Sequence, residues 1–295
     1  MIHTLDLNFL NSSETIAAFL LKTEKGSILF ETGPHSTLPQ LEKELAKYDV
    51  QLEDIQHVFV THIHLDHAGA AWAFAKLGAK IYVHPRGQKH LHDPSRLYNS
   101  AKRIYQDKME YLWGTMEGIS AEQLQVVEHQ EVVKVNGVEI RALHTPGHAV
   151  HHIAWQIGDE IITGDVAGVK IGDALVVPPC PPPDIDVEDW QNSIAILKTA
   201  LPKSLYLTHF GKVKRTLQHL DELEQRLLDW ANWMKPHFEK DTPQAEIVPQ
   251  FQAYVQQELK AAGITKVADL ERYEKANPSW MSVAGLMRYW KKKMG

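Results

Sequence analysis

The sequence predicts an α/β fold that ends in a helical extension, and three observations predict it. Short apolar runs with strand character alternate with stretches of helical spacing as far as Gly211. Histidines and aspartates, side chains able to hold cations, fall directly after several of the strand-like runs. Beyond Gly211 apolar residues recur at helical intervals.

Taken in order, residues 15–22 and 27–32 read as a β-hairpin turning at Lys25-Gly26. Leu38, Leu41 and Leu45 mark a helix. Ile55 to Val60 reads as a buried strand, the Ala-rich run Ala68 to Leu77 as a helix ended by Gly78, and Lys80 to Val83 as a short strand. Residues 93–125 hold Tyr98, Tyr105, Tyr111 and Trp113 amid polar residues, which are expected chiefly to pack helices onto the core. Val126 to Val135, Asn136-Gly137 and Val138 to Leu143 give a hairpin with a type I′ turn, and a second hairpin turns at Gly158-Asp159. The prolines between Pro178 and Pro183 suggest a rigid loop at the mouth of a site. Leu217, Leu220, Leu223, Leu227 and Trp230 form one helical stripe. Ile247, Phe251, Val255 and Leu259 form a second, and Trp280, Val283, Met287 and Trp290 a third. The expected division is a strand-and-helix domain over residues 1–212 and a helical extension over 213–295 packed on it.

The chemistry concentrates in Thr61-His62-Ile63-His64-Leu65-Asp66-His67. With 17 histidines in 295 residues, three histidines and an aspartate at these offsets arise by chance in about a few per thousand chains. A strand precedes them and a helix follows, so His62 and His64 point the same way from extended chain while Asp66 and His67 face back from the helix entrance. That placement suits two adjacent metals better than one.

Further segments carry the same residue types: Thr145-Pro146-Gly147-His148, Thr163-Gly164-Asp165 and Thr208-His209-Phe210-Gly211. With the H-x-H-x-D-H motif at His62 to His67, these four motifs in this order resemble the metallo-β-lactamase superfamily over roughly residues 1–212. The resemblance implies a four-layer αβ/βα sandwich. It implies a metal site of His62, His64 and His148, a second of Asp66, His67 and His209, and Asp165 bridging them. Nitrogen and oxygen donors without thiolate suit zinc, with iron or manganese as alternatives. An aspartate bridge is similar to the glyoxalase II and lactonase branches, whereas zinc β-lactamases typically place a cysteine in the second site. The implied reaction is hydrolysis of a small ester, thioester or lactone by a metal-bound hydroxide, with Asp66 as the catalytic residue that orients it and carries its proton. Competing expectations are a mononuclear iron enzyme of the persulfide dioxygenase type, on His62, His148 and Asp165, and a phosphodiesterase of the same fold. A non-catalytic binding module would be expected to lack some of these donors. Glu31 stands where relatives usually carry aspartate and is either a support behind the metal loop or a strand end.

A formal charge of −6, with 44% hydrophobic and 23% charged residues, fits a globular enzyme with a small-molecule substrate and argues against nucleic acid or an anionic membrane as partner. No apolar run near the start is long enough for a membrane span, and the single Cys180 leaves no internal disulfide, so the expected location is cytoplasmic. A homodimer through the helical extension is an open expectation. Cys180 is not expected to act as ligand or nucleophile. His152 is expected behind the site or in simple packing, while His84, His90, His92, His144 and His151 are expected to be structural or exposed. Lys212, Lys214 and Arg215 are expected on a solvated face.

Overall fold

The computed structural model describes residues 1–295. Its first half builds one sheet, from β1 (Ile2–Asp6), β2 (Ala17–Thr23) and β3 (Gly26–Phe30), through α1 (Leu38–Ala46) to β4 (Ile55–Phe59). After α2 (Leu65–Ala68) and α3 (Ala71–Lys76) comes β5 (Lys80–Val83). Three helices, α4 (Pro85–His92), α5 (Ser95–Tyr105) and α6 (Met109–Trp113), then lead to β6 (Leu124–Val126). The strands lie in chain order β1 to β6, antiparallel as far as β3 and parallel thereafter.

The second sheet is β7 (Val132–Val135), β8 (Val138–His144), β9 (Ile153–Ile157), β10 (Glu160–Gly164), β11 (Ser204–Leu207) and β12 (Gly211–Val213), with α7 (Val187–Thr199) crossing between β10 and β11. Only the β10–β11 pair is parallel, as the intervening helix requires. Helices α8 (Thr216–Glu239), α9 (Gln244–Ala261), α10 (Val267–Ala276) and α11 (Ser279–Met294) follow. None of the helices is long and apolar enough to cross a membrane.

Strand periodicity builds the layers. On β2, Phe19 and Leu21 point to the other sheet and meet Ile140, Trp155 and Tyr206, while Ala18 and Leu20 point outward to Leu41, Leu45 and Phe74. On the second sheet Ile162 faces inward, whereas Ile161 and Leu205 face α7, α8 and α11 through Trp190, Leu223 and Leu286. Both sheets are therefore apolar on both faces, the condition for a sandwich between helical layers. Each large side chain so buried contributes about 1.5–3 kcal/mol. The extension shares its core with the second sheet, since Trp230, Phe251 and Val283 belong to the same cluster as Leu143 and Ile161.

Several expectations need correction. The first hairpin pairs Thr23 with Gly26 and turns at Glu24-Lys25, one residue early. The run from Val126 to Val135 is two strands in different sheets, because β6 pairs β5 while β7 pairs β8. The predicted helix at Ala68 to Leu77 is split at Gly69-Ala70. Leu217 does not belong to its stripe and is 48% exposed. The turn at Asn136-Gly137 does have both residues at positive φ, 48° and 79°, as a type I′ turn requires.

Candidate metal centre

The donors gather along the edge of the sandwich where the strands end. After β4 the chain stays extended through His62 and His64, held by Ile153 N–H donating to the Thr61 carbonyl at 2.7 Å. It then enters α2, where Asp66 and His67 occupy the first turn. His148 follows β8, Asp165 follows β10 and His209 follows β11. Gly147 and Gly164 permit the closeness. A Cβ at Gly147 would run into the Trp190 backbone, and one at Gly164 would run into Thr61 Oγ1, both at positive φ.

Two trios form. His64 Nδ1 lies 2.9 Å from His62 Nε2 and 3.1 Å from His148 Nε2. Asp66 Oδ2 lies 3.7 Å from His67 Nε2 and 3.5 Å from His209 Nε2. Asp165 spans them: its Oδ1 is 3.3 Å from His67 Nε2 and 3.4 Å from His209 Nε2, and its Oδ2 is 3.2 Å from His148 Nε2. The seven residues singled out in the sequence are thus together, in three mutually close groups able to hold a metal ion.

The outer nitrogens decide what the inner ones can do. His148 Nδ1 donates to the Pro179 carbonyl at 2.9 Å, His209 Nδ1 to the Thr15 carbonyl at 2.6 Å, and His67 Nδ1 to Glu31 Oε1 at 3.1 Å. His62 Nδ1 donates to Thr61 Oγ1 at 3.0 Å, and that hydroxyl donates to Glu31. In their neutral forms each of these imidazoles therefore turns a lone pair inward from Nε2. His67 Nε2 and Asp165 Oδ1 are buried without an aligned hydrogen bond, a costly arrangement unless a cation satisfies them. The donor set fits a pair of divalent cations.

Electrostatics agree. Burial, followed by repulsion from neighbouring imidazoles, holds His62 well below the ordinary histidine range, and burial with His148 beside it lowers His64 to about 3. Burial opposes charge on His67 and His209, but Asp165 and Asp66 outweigh it and raise both. The carboxylates are held low in return, Asp66 at about 2, because His67 and His209 outweigh the desolvation that would raise it. Without cations the carboxylates draw protons onto the two histidines that a metal needs deprotonated.

Glu31 ties the site from behind. It is fully buried at φ 61° and accepts from the Thr61 amide at 3.3 Å, Thr208 Oγ1 at 3.3 Å and His67, so it is a support and not a strand end. A non-glycine residue in this region is strained and persists because its surroundings over-determine it. His152 accepts from the Asp165 amide at 3.3 Å through Nε2 and reaches Thr145 Oγ1 at 2.8 Å through Nδ1. It positions the bridge.

Cys180 is buried, its thiol 3.6 Å from the Pro178 carbonyl and pushed up by burial, and it faces no donor. The loop it belongs to connects the extension to the metal centre. Asn277 Nδ2 donates to the Pro178 carbonyl at 3.2 Å, the Cys180 amide donates to Ser282 Oγ at 3.4 Å, and Pro179 holds His148. Helix α11 reaches this loop through Gly285, where a Cβ would run into the Cys180 carbonyl oxygen.

A cleft of about 1350 Å³ opens above the donors, with His64, Asp66, Asp165 and His209 on its floor. Tyr105 and Trp113 line it beside Trp280 and the prolines at 181–183. The aromatic residues of 93–125 therefore do more than pack, although Tyr98 donates to the Gly114 carbonyl and Tyr111 is 68% exposed. His151, expected to be structural or exposed, is buried in the cleft wall, stacked at 6.1 Å on His62. Lys212 pairs with Glu160 at 2.8 Å, away from the site. Sequence reasoning missed Arg86, Lys89 and Arg96, which also line the cleft. Nothing in their spacing distinguishes them from any solvated helix face.

Two double-faced sheets between helices, with cation-binding residues collected at the strand ends, define a metallo-β-lactamase-type sandwich. The model of the metallo-beta-lactamase superfamily matches residues 14–209, and the chain belongs to that family. It is 25% identical over 229 residues to the metallo-beta-lactamase fold-containing protein ST1585 of Sulfurisphaera tokodaii, covering 75% of this chain and 84% of that one. It is 26% identical over 126 residues to a hydroxyacylglutathione hydrolase of Dictyostelium discoideum, covering 43% of this chain and 36% of the relative. The solved metallo-beta-lactamase family protein TTHA1429 from Thermus thermophilus superposes with a TM-score of 0.68 at 17% identity, over 99% of this chain and 93% of that one. That likeness concerns the fold, helical extension included.

Proposed function

We propose that the protein is a dinuclear metal-dependent hydrolase acting on a small ester, thioester or lactone, with zinc as its cation. The observation that carries the reading is the outward anchoring of four ring nitrogens on His62, His67, His148 and His209, which leaves their partners free for cations. Bound there, two divalent cations supply Lewis acidity toward a carbonyl and a source of hydroxide near neutral pH.

The remaining work falls to the chain. Asp165, with one oxygen toward each trio, sets the spacing of the sites. Asp66 is the donor residue whose carboxylate opens most to the cleft, 23% exposed. From there it accepts a hydrogen bond from the attacking water and turns it toward the carbonyl. The cleft admits a small-molecule substrate, with aromatic side chains among its lining.

The test is elemental analysis of protein purified without added metal, followed by assay on thioester, lactone, phosphodiester and β-lactam substrates. About two zinc ions per chain with thioester or lactone turnover is the expected result. One iron per chain with oxygen consumption on a persulfide would replace this reading with the dioxygenase one.

A further inference from the structure

Ten of the 31 lysines and arginines in this fold meet a carboxylate. Lys198, Lys203, Lys212 and Arg226 each lie within 3.4 Å of one. Arg86 and Lys89 on α4 and Arg96 on the first turn of α5 do not, although all three line the cleft. The acidic groups facing them are Asp184 across the lip and Asp189 near Arg86, neither in ion-pair contact. Besides Asp66 and Asp165 on the floor, the other charged lining residues are sequence neighbours of opposite sign, Asp107 with Lys108 and Glu274 with Lys275. A chain of net charge −6 thus carries three exposed cations without an ion pair in the lining of its cleft.

Large apolar side chains share the lining with them. Tyr105, Trp113, Leu97 and Ile104 come from α5 and α6, and Trp280 and Met281 from α11. Ile104 is 46% and Trp280 38% exposed, so large apolar surfaces stand open to whatever enters. The volume of about 1350 Å³ exceeds the roughly 300–1,000 Å³ of an ordinary small-molecule pocket.

We propose that Arg86, Lys89 and Arg96 bind the phosphates of a nucleotide carrier in an acyl thioester, whose acyl group lies against Tyr105, Trp113 and Trp280. The inference rests on the hydrolase reading and names its substrate class. Guanidinium groups match phosphate oxygens in paired hydrogen bonds, and three cations without an ion pair call for a polyanion. A tripeptide thiol answers less well, because its ammonium offsets one of its carboxylates and it would leave much of the cleft empty. In the reaction the oxygen of water bonds to the acyl carbon and the carbon–sulfur bond breaks. The electron pair leaves on sulfur, which takes one proton of the water, and the other proton is released to solvent as the acid ionises, giving a free thiol and a carboxylate without oxidant or reductant.

Two measurements on the metal-loaded full chain test this. Calorimetric titration with adenosine 3′,5′-bisphosphate should show binding that weakens about tenfold or more in Arg86→Ala/Arg96→Ala and falls with added salt. Kinetics should compare one acyl group carried by coenzyme A, by glutathione and by uncharged N-acetylcysteamine. The coenzyme A thioester should have the lowest KM, which rises about tenfold in the double variant at unchanged kcat, while the N-acetylcysteamine thioester is unaffected. Equal KM values for the three carriers, or a preference for the glutathione thioester untouched by the substitutions, would overturn the proposal and leave the hydrolase intact. If no thioester is turned over the hydrolase reading fails separately, and the calorimetric titration still decides whether the wall binds phosphate.

Discussion

The floor and the wall of the cleft are built on different principles. On the floor, three of the donor histidines are fixed by a partner on another segment: Glu31 holds His67 along with Thr61 and Thr208, Pro179 holds His148, and Thr15 holds His209. On the wall, Trp280 and Ile104 are half open and Arg86, Lys89 and Arg96 have no fixed partner. The floor is pre-organised for one chemistry, at the cost of a strained Glu31. The wall has no such anchoring, and on the proposed reading it is where substrate selectivity resides.

The largest expected break in this contrast is Asp165→Ala. It removes the group shared by both trios, and activity should fall roughly 10²–10³-fold, with metal content below two per chain by elemental analysis. Retention of both metals and full turnover would show that the bridge is elsewhere. Next comes Glu31→Gln, which keeps the shape but weakens the anchors of His62 and His67. Metal affinity from competition with a chelator should drop about 10–100-fold.

The wall should respond differently. Trp280→Ala should lower kcat/KM for apolar acyl substrates about tenfold, near 1.4 kcal/mol of transition-state binding, while metal content stays unchanged. A loss of metal in that variant would mean that floor and wall are not separable. An effect on stability alone, with none on turnover, lies outside both. Burial holds His219 down to about 4, against the hydrogen bond to the Ala167 carbonyl that would raise it. Folding favours its neutral form, so its contribution is complete above pH 6.5 and is lost as pH falls toward 4. His219→Gln should flatten the acid limb of the metal-free protein's stability by up to about 3 kcal/mol, measured by denaturant titration at pH 7 and pH 4.5.

The floor was legible in the sequence because its donors are rare residue types packed into short motifs, and a strand followed by a turn fixes where they point. Glu31 could be located but not assigned, since its role depends on Thr61 and Thr208 arriving from elsewhere. The wall was not legible. Arg86, Lys89 and Arg96 look like any solvated helix face, and whether a cation is paired is a tertiary property. His151 is packed, one of its two expected outcomes, and only folding places it beside His62. Among the elements, β1 carries an irregular burial pattern at the sheet edge and gave no period-2 signal. The run from Val126 to Val135 hid a change of sheet because both strands are apolar.

Gly285 gives the extension a say in metal binding. Its missing side chain lets α11 rest on the Cys180 carbonyl, next to the Pro179 carbonyl that holds His148. A single methyl group added there would push helix and loop apart and loosen a ligand from outside the cleft. Metal affinity in Gly285→Ala should therefore fall with every donor intact. A slower metal release in wild type than in Gly285→Ala, read by chelator competition, is the expected sign that the extension holds this ligand in place.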